Sequence, residues 1–258
     1  MADEIQAWPL NDILAKHPSV RSIPASAVLL AATIILNVPT IQRDILHGIL
    51  LKSQLKICAD GGSNVLYDAH PSFRNTETFV LPDVIIGDLD SIRDDVRSFY
   101  ESQNVDIVLL DDQDSTDLDK ALAYTARNLS HSGLVAIVGT IGSHEGRIDQ
   151  LFAVINAMYK YRNSDLKPVQ VGHESVLLIL TEGKHKIEVP EMSIHRHCGL
   201  IPLFGPVREM TTDGLEWNLS PSMGELSFGT LVSANNIVRS TTIEVETSDP
   251  VLFTMTYR

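Results

Sequence analysis

The sequence predicts an α/β protein: an N-terminal three-layer domain with a mostly parallel sheet and helices on both faces, then a C-terminal antiparallel β-sandwich. Three observations carry this. Apolar strand-like runs alternate with helix-period segments from residue 27 to about residue 180. Helix-length periodicity then stops, and short β-rich pieces punctuated by Gly and Pro follow. Acidic clusters recur where the predicted strands of the first part end, the edge at which open α/β sheets take ligands.

The elements follow in order. Residues 1–25 hold Pro9, Pro18 and Pro24 with weak periodicity and read as an extension carrying one short helix near Asn11–Lys16. Ala27–Leu36 is a near-continuous apolar run, as a strand buried on both faces requires. Ile41–Leu51 has helical spacing, Gln54–Cys58 is a short strand, and Ser63–Tyr67 starts a helix. Asp83–Ile86 reads as a strand, Arg93–Ser102 as a helix and Val105–Leu110 as a strand. Thr116–Leu129 carries Leu118, Leu122 and Ala126 along one helical stripe. Val135–Val138 is a strand. Arg147–Tyr161 is a helix with Leu151, Val154, Ile155 and Met158 on one face, and Val176–Leu180 is a further strand of the first domain. The β-rich pieces are Lys184–Val189, Cys198–Pro202, Glu209–Thr212, Glu225–Val232, Thr241–Val245 and Val251–Thr256. The expected division is 1–25 extension, 26–182 α/β domain and 183–258 β-domain, with Gly183 at the boundary.

Composition excludes several function classes. The 258 residues carry a formal charge of −13, which argues against nucleic acid or an anionic membrane as partner. Two cysteines, Cys58 and Cys198, lack disulfide-framework or zinc spacing, so a reducing compartment, the cytosol, is expected. The longest apolar stretch is too short to span a bilayer, and the N-terminus lacks the basic region of a secretory signal.

The acidic clusters carry the chemistry. Asp60 lies in Asp60-Gly61-Gly62-Ser63-Asn64, where two glycines would let a phosphate approach the backbone. Asp88 and Asp90 follow Gly87; on extended backbone both would point one way, toward one metal, or they form a solvated turn with Asp90 or Ser91 capping a helix. Asp114 and Asp117 open a strong helix, which Asp114 or Ser115 would cap, but Gln113, Thr116 and Asp119 add more polar groups than a cap needs. Asp119 and Lys120 read as the exposed first turn. So many carboxylates at one edge call for a hard divalent cation, Mg²⁺, carrying a phosphorylated substrate. Gly139–Arg147 is a Gly-rich loop before a helix, suited to phosphate through backbone N–H groups and Arg147, with Asp149 and Gln150 next; it matches neither the P-loop nor the dinucleotide fingerprint, and a plain loop with a surface arginine is the bland alternative. In the β-domain Trp217, Ser233, Asn235 and Asn236 are candidates for ligand contact, although a tryptophan among short strands is more often core. His195 and His197 could form a metal pair or face a half-buried strand.

In this order, Ala59-Asp60-Gly61-Gly62-Ser63-Asn64, Gly87-Asp88-Leu89-Asp90-Ser91, Asp112-Gln113-Asp114-Ser115-Thr116-Asp117, Gly146-Arg147-Ile148-Asp149-Gln150, Cys198-Gly199-Leu200-Ile201-Pro202 and Thr211–Leu219 resemble the thiamin pyrophosphokinases of eukaryotes. The resemblance implies a homodimer whose active site joins one subunit's α/β domain to the other's β-domain. It implies transfer of the pyrophosphoryl group of ATP, the co-substrate, to the hydroxyethyl oxygen of thiamin, leaving AMP. It also implies Mg²⁺ held by Asp88, Asp90 and Asp117 with Asp60 close by, Gln113 and Asp114 at the substrate end, and Arg147, Asp149 and Gln150 on the nucleotide side. Trp217 would stack on the thiamin pyrimidine from the partner subunit, with Ser233 and Asn236 nearby. Two other readings compete. A haloacid-dehalogenase-like phosphohydrolase would use Asp88 as nucleophile, and an acidic metal- or nucleotide-binding regulator would bind Mg-ATP without turnover.

Overall fold

The computed structural model describes residues 5–16, 27–38, 41–69, 80–112, 114–129, 132–139 and 147–258. The chain divides into two units, Lys16–His173 and Met1–Ala15 with Glu174–Arg258. The first described elements, β1 (Gln6–Pro9) and α1 (Leu10–Ile13), belong to the second unit.

The Lys16–His173 unit is built of β2 (Leu30–Ile35), α2 (Arg43–Lys52), β3 (Ser53–Ala59), α3 (Gly62–Ala69), β4 (Val84–Gly87), α4 (Asp94–Ser102), β5 (Asp106–Leu109), α5 (Asp117–Asn128), β6 (Gly133–Val138), α6 (Ile148–Lys160) and β7 (Leu166–Val171). Its strands lie in the order β7-β6-β2-β3-β4-β5, every neighbouring pair parallel. Every residue of β2 and β4 is buried, which explains their uninterrupted apolar runs. The chain steps outward from β2 to β5 and then returns to place β6 on the other side of β2. α5 makes that return and packs across β2, β3 and β4. Its N-terminus and the loops after β3 and β4 therefore share the carboxyl edge of the sheet.

The other unit holds two sheets. One is β1-β9-β13-β11, with β9 (Gly183–Glu188), β11 (Met210–Asp213) and β13 (Thr242–Thr247) antiparallel in sequence and β1 added parallel to β9. The other contains β8 (Ser175–Leu180), β14 (Val251–Thr256), β10 (His197–Ile201) and β12 (Ser233–Ile237) in that order, all antiparallel. Along β13 buried and exposed residues alternate, the signature of a half-buried strand.

The elements differ from the sequence reading in four places. The strand at residues 176–180 pairs antiparallel with β14 and falls in the second unit rather than with the parallel strands; its apolar run fits either kind of sheet. Residues 5–15 are structured: Trp8 is buried, its Nε1 donates to His185 Nδ1 at 3.3 Å, and β1 extends the β9 sheet. The short helix is Leu10–Ile13 rather than Asn11–Lys16. β7 and β12 were missed. Pro168 inside β7 removes a ladder donor and masks the strand pattern, and β12 begins only where Glu225–Val232 was expected to end.

Candidate active site

Asp60 sits directly after β3. It takes a left-handed φ of 41°, which aspartate tolerates better than most residues. Its N–H donates to Ile86 O at 2.8 Å, and its Oδ2 accepts from Ser91 N at 3.1 Å. The residue is 2% exposed, and its Oδ1 is buried without a hydrogen-bond partner among the described residues. Burial pushes its carboxyl above the usual carboxylate range; hydrogen bonds from Ser91 oppose this, and the charges of Asp117 and Asp88 add to it.

The loop after β4 supplies Asp88 and Asp90. The backbone between them is not extended: Leu89 has φ 60°, a conformation bulky residues seldom take and one that costs on the order of 1–3 kcal/mol. The two carboxylates sit instead on a tight turn, in which Asp90 N donates to Asp88 Oδ1 at 3.3 Å. Ligand oxygens of Asp60, Asp88 and Asp90 still lie within 4.8 Å of one another. Asn64, on α3, braces this loop: its Nδ2 donates to Ser91 O at 2.8 Å, and its Oδ1 accepts from Arg93 N at 3.0 Å.

Asp117 opens α5, but neither Asp114 nor Ser115 caps that helix. Thr116 is the N-cap, its Oγ1 accepting from Asp119 N at 3.1 Å while Asp119 Oδ2 accepts from Thr116 N at 3.3 Å, a reciprocal capping box. Asp119 is thereby explained by helix-end chemistry, and Asp117 is left over for other work. Asp114 is exposed and its N–H donates to Asp112 Oδ1 at 3.0 Å. Lys120 is not on an exposed turn: it is 6% exposed and its Nζ lies 3.3 Å from Asp117 Oδ1. Gln113 lies outside the described residues, as does the 140–146 part of the Gly-rich loop.

The glycines pack rather than open the site. A Cβ on Gly61 would fall 2.3 Å from Asn37 Nδ2, and one on Gly62 would fall 2.1 Å from Ile35 O, so both let β3 turn against β2 and its following loop. A Cβ on Gly87 would meet Asp60 Cβ at 2.6 Å and Asp117 Oδ1 at 3.1 Å. Gly87 is therefore what permits Asp60 and Asp117 to approach. Beside them a pocket of about 180 Å³ is lined by Asn37, Ala59, Thr116, Asp117, Gln150 and Val154 among others. Arg147 precedes α6 and is exposed; its guanidinium forks onto Asp149, which raises its own pKa and lowers that of Asp149.

A scan against family models matches residues 46–169 to the thiamin pyrophosphokinase catalytic domain and residues 184–252 to the thiamin pyrophosphokinase vitamin B1 binding domain. Thiamine pyrophosphokinase 1 of Arabidopsis thaliana is 36% identical over 218 residues, spanning 80% of this chain and 79% of that protein. The chain belongs to the thiamin pyrophosphokinase family. It is accordingly an ATP-dependent diphosphotransferase that converts thiamin and ATP to thiamin diphosphate and AMP. The fold agrees with two solved thiamin pyrophosphokinase structures: that from Candida albicans (TM-score 0.77, 21% identity, covering 98% of this chain and 93% of that one) and that from yeast (TM-score 0.76, 22% identity, 99% and 92%). The phosphohydrolase and regulator readings lapse with this membership.

Within the vitamin B1 binding region of this family member, Trp217 is 56% exposed, not core. Its backbone is clasped by Asn236, whose Oδ1 accepts from Trp217 N at 3.1 Å and whose Nδ2 donates to Trp217 O at 2.8 Å. Ser233 Oγ lies 3.4 Å from that Nδ2. Arg239 bonds Glu216 beside the tryptophan and meets His195 Nδ1. Asn235 has φ 59° and is exposed. His195 and His197 join no metal-type cluster among the described residues. Asn64 and Asn236, both in stretches that the sequence singles out, brace backbone here; the Thr116/Asp119 spacing is a readable signal for the capping box, whereas nothing in the sequence signals the burial of Lys120.

Proposed function

We propose that the carboxylates at the carboxyl edge of the parallel sheet are the catalytic centre of this diphosphotransferase: Asp88, Asp90 and Asp117 hold Mg²⁺, with Asp60 beside them. The buried Asp60 Oδ1, without a hydrogen-bond partner among the described residues, carries this reading, because a cation opposite a desolvated carboxylate oxygen offsets the cost of burying its charge. Oxygens of Asp60, Asp88 and Asp90 cluster within 4.8 Å of one another, and Asp117 Oδ1 packs against Gly87 next to Asp60; such all-oxygen donors suit a hard divalent ion. When bound, Mg²⁺ would neutralise charge on the phosphate oxygens.

The chain's own residues do the rest. Gln150 and Asn37 line the pocket next to Asp117 and serve the nucleotide, with Arg147 and Asp149 at the start of α6. Arg147 exchanges its Asp149 partner for a phosphate as substrate binds. Asp114 or Asp117 orients the hydroxyethyl group of thiamin and takes its proton as that oxygen bonds to the β-phosphorus. The bond from the β-phosphorus to the α,β-bridging oxygen breaks, and AMP leaves with that oxygen. Gln113 belongs at the substrate end. Trp217 stacks on the thiamin pyrimidine, supported by Ser233 and Asn236, which fix the backbone that presents it. We further propose that the enzyme is a cytosolic homodimer in which Trp217 serves the partner's active site. The domain roles follow: the α/β unit binds nucleotide and the β-unit binds thiamin.

Incubation with ATP, Mg²⁺ and thiamin should release AMP with no ADP, and Asp90→Asn should stop it. Release of ADP, or near-normal turnover by Asp90→Asn, would remove the residue assignment.

A further inference from the structure

Lys120 stands out among the titratable groups that the reaction does not yet use. It lies one turn into α5, where the sequence reads as a polar helix surface, yet it is buried. An ammonium is expensive to desolvate, and its one ion pair among the described residues is to Asp117 Oδ1. That oxygen also packs against Gly87, on the side toward Asp60. Asp117 Oδ2 has no protein partner among the described residues. Lys120 thus pins one oxygen of Asp117 and leaves the other as the single donor available to a ligand. The carboxylates of Asp60, Asp88 and Asp90 crowd nearby, and Asp112 also feels the Lys120 charge. Four carboxylates without a counter-charge would bind a bare cation tightly but repel the polyphosphate that must join it.

We propose that Lys120 is a positioning residue for the pyrophosphoryl transfer: it aims Asp117 and trims the negative charge of the acidic edge, so that the site favours a metal–nucleotide complex over a free metal ion. This rests on the metal reading of the acidic edge given above.

The distinguishing feature is a split of opposite sign. Removing Lys120 should tighten the binding of a free cation and weaken that of a nucleotide, which loss of structure alone would not do. The test uses the full chain in wild-type, Lys120→Met and Lys120→Arg forms. Mn²⁺ affinity without nucleotide is read by electron paramagnetic resonance, and affinity for α,β-methylene-ATP, whose α,β-bridge cannot be cleaved, is read by calorimetry. Lys120→Met should lower the Mn²⁺ Kd about three- to tenfold and raise the analogue Kd by at least as much, at the interaction strength of partly buried charges. Lys120→Arg should restore both toward wild type. The proposal is overturned if both affinities fall together, if neither changes in a variant with a native unfolding midpoint, or if Mn²⁺ binds neither wild type nor Lys120→Met. Asp90→Asn is measured alongside: unchanged Mn²⁺ binding there would sink the metal assignment itself, a separate failure.

Discussion

Single side chains decide the chemistry of this edge, and Asp60 shows how. Its carboxyl is raised by burial, so in the metal-free protein the folded pKa exceeds the unfolded one. A raised carboxyl is neutral and harmless at low pH and costs stability as pH rises through its folded value. Asp60→Asn should therefore raise the Tm of the metal-free protein at pH 7–8 by about 2–4 °C, the shift that ~1 kcal/mol produces in a chain of this size, and by nothing near pH 3. Added Mg²⁺ should narrow that gap, since a carboxylate beside the ion gains more from it than an amide does; a gap unchanged by Mg²⁺ would contradict the role of Asp60. At Trp217 the expectation is kinetic. Trp217→Ala should raise the KM for thiamin at least tenfold and leave the KM for ATP within about twofold, the loss of one stacking partner being worth a kcal/mol or more. Asn236→Ala should reproduce that pattern more weakly, because it frees the backbone that carries the ring.

At the scale of elements, the N-terminus of α5 and the loop after β4 do the positioning. Thr116 and Asp119 close the helix end reciprocally, which frees Asp117 to face Gly87 rather than cap its own helix. Thr116→Ala should cost about 1 kcal/mol in chemical denaturation and lower kcat as well, whereas Thr116→Ser should keep both. Loss of stability with full kcat would separate the cap from the site. Much at this scale was legible beforehand. The buried runs of β2 and β4 and the apolar stripes of α5 and α6 can be read from spacing alone, because each element buries one continuous or periodic face. β7 was not legible, because Pro168 contradicts a strand pattern that tertiary pairing with β6 overrides. The turn at Leu89 was hidden for a similar reason: a left-handed leucine is held by its surroundings, not by its own preference.

For the molecule as a whole, sequence order concealed what folding brings together. Asp60, Asp88 and Asp117 are separated by tens of residues, and only the strand-end rule of open parallel sheets put them at one edge. The burial of Lys120 and the clasp of Asn236 on Trp217 are properties of packing that no spacing announces. Charge also acts at this scale. With −13 on 258 residues, the field should favour cationic thiamin and oppose ATP. The kcat/KM for thiamin should fall as ionic strength rises from about 20 to 300 mM at saturating Mg-ATP, and a flat profile would show that steering plays no part.

In the proposed site, aspartates from the loop after β4 and from the start of α5 converge on one divalent ion that meets the triphosphate. Anomalous diffraction from crystals soaked with Mn²⁺ and α,β-methylene-ATP tests it most directly. The account predicts a manganese peak coordinated by Asp88, Asp90 and Asp117 oxygens and by phosphate oxygens; a nucleotide bound with its metal away from all three would contradict it.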